Sequence, residues 1–249
     1  MAIYHSLLLT IFLATTSFAQ KLDLVTLQYP PYQYESAGEV KGIAVDIVKE
    51  AFGRLGIQAE IRVLPWSRAI RYIEQGQADA IFTAFKTPER EKFADYSNEI
   101  LLWQTISLFV RSDSTLEFNG DLETLRGMTV GVVKGVNYGK SWDAAMNEGV
   151  FNSVELSNEG EQNMRKLLVG RVPIIVSNRF GAYANVNKTA QLNDIRELKP
   201  ALEHIASYIA FSKKRNLALT RDQFDQTLKQ MKQDGSYQRI ISTYYNKLR

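Results

Sequence analysis

The sequence predicts an α/β fold in two lobes. Three observations carry the prediction. Strand, helix, strand, helix and strand signals alternate from Lys21 to Thr83, and the alternation restarts at about Leu122. Two further strands, Thr105 to Arg111 and Ser207 to Phe211, lie where the chain would leave the first unit and return to it. Alternation of this kind specifies parallel strands with crossover helices. A two-lobed molecule crossed twice by its chain places its site in the cleft between the lobes.

Lys21 to Leu27 alternates and carries β-branched residues, so it reads as a strand. Tyr29-Pro30-Pro31-Tyr32 ends it in an aromatic loop. After Gly42, the apolar residues Ala44, Ile47, Val48, Ala51, Phe52 and Leu55 keep helical spacing until Gly56. Gln58 to Leu64 is the next strand. Trp66, Ala69, Ile70 and Ile73 form a second helical stripe closed by Gly76, and Ala78 to Thr83 is a short apolar strand. In the second unit, Met128 to Val133 reads as a strand, Ser141 to Met146 as a helix, and Val154 as the start of another strand. Glu161 to Val169 is a helix closed by Gly170, and Pro173 to Val176 is a buried strand. Ile205 to Phe211 is a strand, and two helices follow, Leu217 to Met231 and Tyr237 to Leu248, separated by Asp234-Gly235.

The first twenty residues contain no Lys, Arg, Asp or Glu. Leu7 to Ala14 is mostly apolar, and Ser17-Phe18-Ala19 precedes Gln20, which reads as a secretory signal peptide cleaved after Ala19. The run is too short to serve as a membrane anchor. The expected division is therefore residues 1–19 as leader, 20–102 and 207–249 as the first lobe, and 103–206 as the second. With no cysteine, the chain has no disulfide, no thiol nucleophile and no lipid-bearing residue at the cleavage site. Its stability must come from its core, and the expected product is a soluble extracytoplasmic protein.

Basic and acidic residues number 30 and 27 and are well mixed, leaving a net charge of +3. No Lys/Arg block marks a nucleic-acid or membrane-surface partner. Catalytic and metal chemistry is poorly provided for. Beyond the leader the one histidine is His204, in an ordinary Leu-Glu-His-Ile context, and no HExxH, phosphate loop or EF-hand loop is present. Asp46 and Asp79 read as structural carboxylates at element ends. One stretch does suggest binding. Thr87 is a good N-cap and Pro88 suits the first helical position, which puts Arg90 beside the unpaired N–H groups of a helix start. A guanidinium fork and such N–H groups together can grip a carboxylate.

Taken in order, Pro31-Tyr32, Gly42 with Asp46, Pro65-Trp66, Gly76 with Asp79, Thr87 to Arg90 and Tyr96-Ser97 resemble the bacterial extracellular solute-binding proteins of family 3, the periplasmic receptors of polar amino acid ABC transporters. Leu125-Arg126-Gly127, Val130-Gly131-Val132 and Gly135 resemble that family's second lobe, and Asp234 to Tyr237 with Ile240 its C-terminal helix. The resemblance implies a two-lobed periplasmic binding protein type II fold, with a ligand cleft between lobes joined by two hinge strands. It implies a monomeric periplasmic receptor that captures a small carboxylate-bearing solute by hinge closure and delivers it to an ABC permease, with no cofactor. By position, Arg90 matches the arginine that grips the ligand carboxylate, Tyr29 and Trp66 match aromatics that sandwich the ligand side chain, and Thr83 and Phe85 match a ligand-lining strand end. Gly135 to Tyr138, including Asn137, match a loop that donates backbone N–H groups to the carboxylate.

Two departures from the family pattern stand out. Phe85 replaces a hydroxyl residue that usually bonds the carboxylate, and Asn178 stands where α-amino-acid receptors carry an Asp for the ligand ammonium. A buried ammonium without a counter-charge is costly. The ligand is therefore expected not to be a standard zwitterionic amino acid, or its ammonium meets another acid such as Glu161 or Glu99. A variant of the receptor reading is a stand-alone receptor that presents its ligand to a membrane sensor kinase, and two other functions compete. The same fold serves periplasmic dehydratases of the cyclohexadienyl type, but neither Pro173 nor Asn178 supplies the acid such an enzyme needs. A targeting domain of a larger enzyme or receptor kinase is disfavoured by the end of the chain at Arg249, just after the last helix.

Overall fold

The computed structural model describes residues 20–189 and 192–245. The expected leader lies outside them, as do Asn246 to Leu248 of the expected last helix. The first unit runs β1 (Lys21–Thr26), β2 (Tyr34–Ser36), β3 (Glu39–Lys41), α1 (Ile43–Arg54), β4 (Gln58–Val63), α2 (Trp66–Gln75), β5 (Ala80–Phe85), α3 (Pro88–Glu91) and β6 (Ala94–Tyr96). β7 (Leu102–Arg111) leads to β8 (Thr129–Val133), α4 (Lys140–Asn147), β9 (Ser153–Ser157), α5 (Gly160–Leu168), β10 (Ile174–Asn178), α6 (Arg179–Thr189) and β11 (Ile195–Glu197). β12 (Glu203–Ser212) precedes α7 (Ala218–Gln233) and α8 (Ser236–Tyr245).

The two units share one plan. β1 lies between β4 and β5 and is parallel to both, and β8 lies between β9 and β10 and is parallel to both. β7 and β12 pair antiparallel, Leu102 to Ile106 against Ser207 to Glu203, and then part. β7 continues along β10, whereas β12 continues along β5. One sheet therefore runs through both lobes by way of two crossing strands.

Packing explains the strand patterns. All six residues of β5 are buried, as expected of a strand covered on both sides. In the first lobe α1, α7 and β12 meet around Phe52, Phe211 and Phe224, with Phe52 and Phe224 ring centroids 5.0 Å apart. The second lobe packs Leu108, Val130, Trp142 and Val176 on one side of its sheet, and Phe109, Met164 and Leu167 under α5 and α6 on the other.

Two backbone features place the cleft loops. Gly42 has φ 129°, and a Cβ there would sit 2.4 Å from the Tyr32 carbonyl oxygen. Only glycine allows this approach. It lets Ile43 and Ala44 at the start of α1 donate to the carbonyls of Pro31 (3.1 Å) and Tyr32 (2.8 Å), which ties down the aromatic loop. The second feature is Thr83, whose φ of 58° is unusual for a β-branched residue. The register of β5 against β12 slips here, with Tyr208 opposite Ala84 but Ile209 opposite Phe82. The strand expected to end at Thr83 passes through this bulge and ends at Phe85 instead. α6 carried no helix signal, because Gly181, Asn185 and Asn187 interrupt its weak apolar spacing.

Candidate functional site

Residues that follow the carboxyl ends of the parallel strands meet between the lobes, where α/β sheets characteristically carry ligands. Leu27, Tyr29, Trp66, Thr83, Phe85 and Arg90 from the first lobe line one cavity with Val136, Asn137 and Gln104. Tyr29 and Trp66 also face a second cavity, lined across the cleft by Tyr138, Asn163 and Ser177. Each holds about 20 Å³, room for roughly one water molecule. The two walls thus lie against each other here, with no room between them for more than water. A wider space of about 580 Å³ opens beside the crossing strands, lined by Lys86, Lys140, Asp143, Glu203 and His204 among others.

Arg90 sits at the centre of this arrangement. The Thr87 side chain accepts from the Arg90 backbone N–H (3.3 Å), and Pro88 takes the first helical position. The guanidinium turns back, donating from Nη1 to the Phe85 carbonyl (2.9 Å) and from Nη2 across the cleft to the Gly135 carbonyl (3.2 Å). Its carbon lies 5.4 Å from the Trp66 ring centre, a cation–π distance. Arg90 is only 9% exposed, and this burial lowers its pKa, with Tyr96 beside it opposing the shift. The Tyr96 hydroxyl donates to the same Phe85 carbonyl (3.0 Å). Its own pKa is pushed up to about 12 by burial, against the pull of Arg90.

The aromatic walls come from the first lobe. Trp66 opens α2 directly after Pro65 and is buried, and its Nε1 has no hydrogen-bond partner. Tyr29 stacks on Tyr32 with centroids 5.7 Å apart and reaches the second lobe, where a Cβ on Gly181 would lie 3.3 Å from its Cε2. Burial of its hydroxyl, reinforced by Tyr32 and Tyr138, raises its pKa well above the ordinary value. Thr83 donates to the Phe82 carbonyl (2.6 Å) and accepts from Gln33 Nε2 (2.7 Å).

The second-lobe positions are more committed. The Asn137 side chain donates to Asp143 (2.7 Å) and accepts from the Gly139 N–H (3.0 Å). The Tyr138 hydroxyl accepts from the Val133 N–H (2.8 Å), and its ring meets Trp142 edge-on. In the loop that carries them, Val136 N–H bonds the Val133 carbonyl, while no hydrogen bond of the described residues uses the N–H of Gly135, Asn137 or Tyr138. Asn178 is fully buried behind the cavity wall, bonded to Gly181 and Gln104.

Several expectations resolve here. Glu161 pairs with Arg165, and Glu99 accepts from Lys232 Nζ (2.8 Å), so both proposed counter-ions are engaged elsewhere. Glu159, an exposed residue, is the one carboxylate lining these two small cavities. Asp46 accepts from Tyr244 (2.7 Å), and Asp79 joins Arg215 (2.6 Å) to the Asp23 backbone (2.8 Å), both structural uses. Gln104 and Gln33 were not anticipated. The one available signal was a Gln inside the apolar run from Leu101 to Val110, since a polar residue buried in a strand needs a reason.

A mixed sheet traversed by two crossing strands, with strand-end loops facing each other across a cleft, defines a two-lobed periplasmic binding protein fold. The chain belongs to the bacterial extracellular solute-binding proteins, family 3, whose model matches residues 24–247. It is 25% identical to the arginine-binding extracellular protein ArtP of Bacillus subtilis (strain 168), over 87% of this chain and 82% of that one. It is 23% identical to the histidine-binding periplasmic protein of Salmonella typhimurium (strain LT2), over 99% and 96%. Among solved structures, an ancestral arginine-binding protein bound to arginine superposes with a TM-score of 0.78 at 22% identity, covering 90% of this chain and 98% of that one. No helix among the described residues is long and apolar enough to cross a membrane.

Proposed function

We propose that this chain is a periplasmic receptor that captures a small carboxylate-bearing solute, an amino acid or related organic acid, by closing its lobes and passes it to an ABC permease. The observation that carries the reading is Arg90, a buried cation held by one carbonyl from each lobe and roofed by Trp66. When the lobes part, its bond to Gly135 breaks and a guanidinium edge becomes available to a carboxylate. Tyr29, Trp66, Thr83 and Phe85 then form the first-lobe wall, and Gly135, Asn137 and Tyr138 the second, with Asn178 directly behind it. Free N–H groups in the Gly135 loop supply further donors for the anion. We take the lobes to be residues 20–102 with 207–249, and residues 103–206, meeting where β7 and β12 pair. Binding then shifts an open–closed equilibrium, and the permease recognises the closed form. The arginine- and histidine-binding relatives support a ligand of this size, and their character as binding proteins supports capture without turnover.

The test is thermal unfolding of protein stripped of ligand by denaturation and refolding. A cognate carboxylate at ~100 times its dissociation constant should add about 2.7 kcal/mol of stability. Recovery of the ligand unchanged is expected. A stabilising ligand that lacks any carboxylate, or that emerges altered, would overturn the reading.

A further inference from the structure

Gln104 of β7 is 1% exposed and lines the cavity that holds Tyr29, Trp66 and Arg90. Its amide orientation is fixed by a chain of hydrogen bonds that starts at a backbone group. The Gly181 N–H donates to Asn178 Oδ1 (3.1 Å), and a backbone N–H can only donate. Asn178 must therefore turn its Nδ2 toward Gln104, where it donates to Oε1 (3.3 Å). Gln104 is left with Nε2, buried and without a hydrogen-bond partner. The first turn of α6 thus presents a donor to the cleft through two carboxamides.

The other side-chain donors of this cavity point the same way, while two buried acceptors without partners lie off its lining, Asn163 Oδ1 in the neighbouring cavity and Gln33 Oε1 on the residue that donates to Thr83. Trp66 Nε1 is a second buried donor without a partner, and Arg90 supplies a cation. The Thr83 hydroxyl has already given its proton to the Phe82 carbonyl. Among the residues lining this cavity none is acidic, and Glu159 belongs to the neighbouring cavity, where it is exposed. An ammonium brought to Gln104 would set N–H against N–H, whereas a carbonyl, hydroxyl or carboxylate oxygen would satisfy the donor.

We propose that Gln104, oriented by Asn178, is a specificity-determining residue that selects a carboxylate bearing an oxygen acceptor, such as a 2-hydroxy or 2-oxo acid, over the matching 2-amino acid. The inference rests on the receptor reading and sharpens its ligand class. Exchanging one atom should reverse the choice. In Gln104→Glu, one carboxylate oxygen still accepts from Asn178 and the other faces the cleft as a charged acceptor. In Asn178→Asp, the second oxygen requires Gln104 to turn its Nε2 away from the cleft and present Oε1.

The experiment is calorimetric titration of refolded full chain with matched sets: glutamate, 2-hydroxyglutarate and 2-oxoglutarate; phenylalanine, phenyllactate and phenylpyruvate; arginine and 2-oxoarginine. The wild type should bind an oxygen analogue at least tenfold more tightly than its amino acid. Gln104→Glu and Asn178→Asp should each move that ratio at least tenfold toward the amino acid, while Gln104→Met should flatten it. Circular dichroism and thermal unfolding report whether each variant is folded, and two variants acting through different atoms guard against loss of one. Tighter binding of an amino acid by the wild type would overturn the inference and leave the receptor reading intact. Failure of every set to bind would overturn both.

Discussion

The two lobes are built alike and equipped differently. Each is a parallel trio whose first strand lies in the middle, flanked by an antiparallel strand that crosses from the other lobe. The first lobe faces the cleft with a cation and aromatic rings on loops pinned by Gly42 and by the Thr87 cap. The second offers carboxamides and a loop with uncommitted N–H groups. Their interiors differ in the same sense. The first lobe gathers its α-helices around phenylalanines, whereas the second ties β7, α6 and β11 to one buried carboxylate, Glu197. One topology can thus carry a charge-reading wall and a hydrogen-bonding wall, because strand order dictates only where the loops fall.

The largest effect should come from the first-lobe core. Phe224→Ala removes a ring with no exposed surface and should cost about 3–5 kcal/mol of stability, read by urea unfolding. If the continuous sheet couples the lobes, the whole transition shifts; a separate early step confined to one lobe would instead mean that they unfold independently. Arg90→Ala removes the cation shared between the lobes, and losing a charge-assisted pair should weaken binding of the cognate carboxylate by about 3 kcal/mol, over 100-fold. Calorimetry on the refolded variant checks this, and an unchanged affinity would move the anchor to the second lobe.

Glu197 gives the second lobe its counterpart. Burial alone would raise its pKa, but hydrogen bonds from Lys199, Ser107 and Arg179 outweigh this and hold it below the ordinary carboxylate range. A depressed folded pKa stabilises the fold fully above the unfolded value of about 4.3, and that contribution fades as pH falls toward the folded pKa. Glu197→Gln should therefore cost about 2–3 kcal/mol at pH 7 and less below pH ~4, as denaturation at the two pH values would report. A cost independent of pH would mean that packing, not charge, holds this hub. The smallest effect concerns the contact between lobes. Gly181→Ala places a methyl 3.3 Å from Tyr29 Cε2 while favouring the helix by up to about 1 kcal/mol. Stability should hold or rise while ligand affinity falls a few-fold, and X-ray scattering should show a more open average form.

Much of this was legible in the residues, and the misses have physical causes. The helix stripe of α1 and the β1, β4 and β8 signals appear within a residue or two of their expected limits, because burial on one side imposes its period on the local sequence. Arg90 was found through its cap, a local signal. β6 and β11 were not found, since three residues are too few to show a period. Thr83 reads as an ordinary strand residue, because its bulge is created by β12, more than a hundred positions away in sequence.

By itself, the sequence determined the α/β alternation, the two units, the cleft between them and the cation placed there. Each of these follows from periodicity, capping and residue type, which act over a few neighbouring residues. Only the tertiary structure decided which way the Gln104 amide faces and which acids are spent elsewhere. The direction of a buried hydrogen bond depends on its partner, and the partner of Gln104 lies 74 residues along the chain, oriented in turn by the first turn of a helix the sequence pattern did not announce.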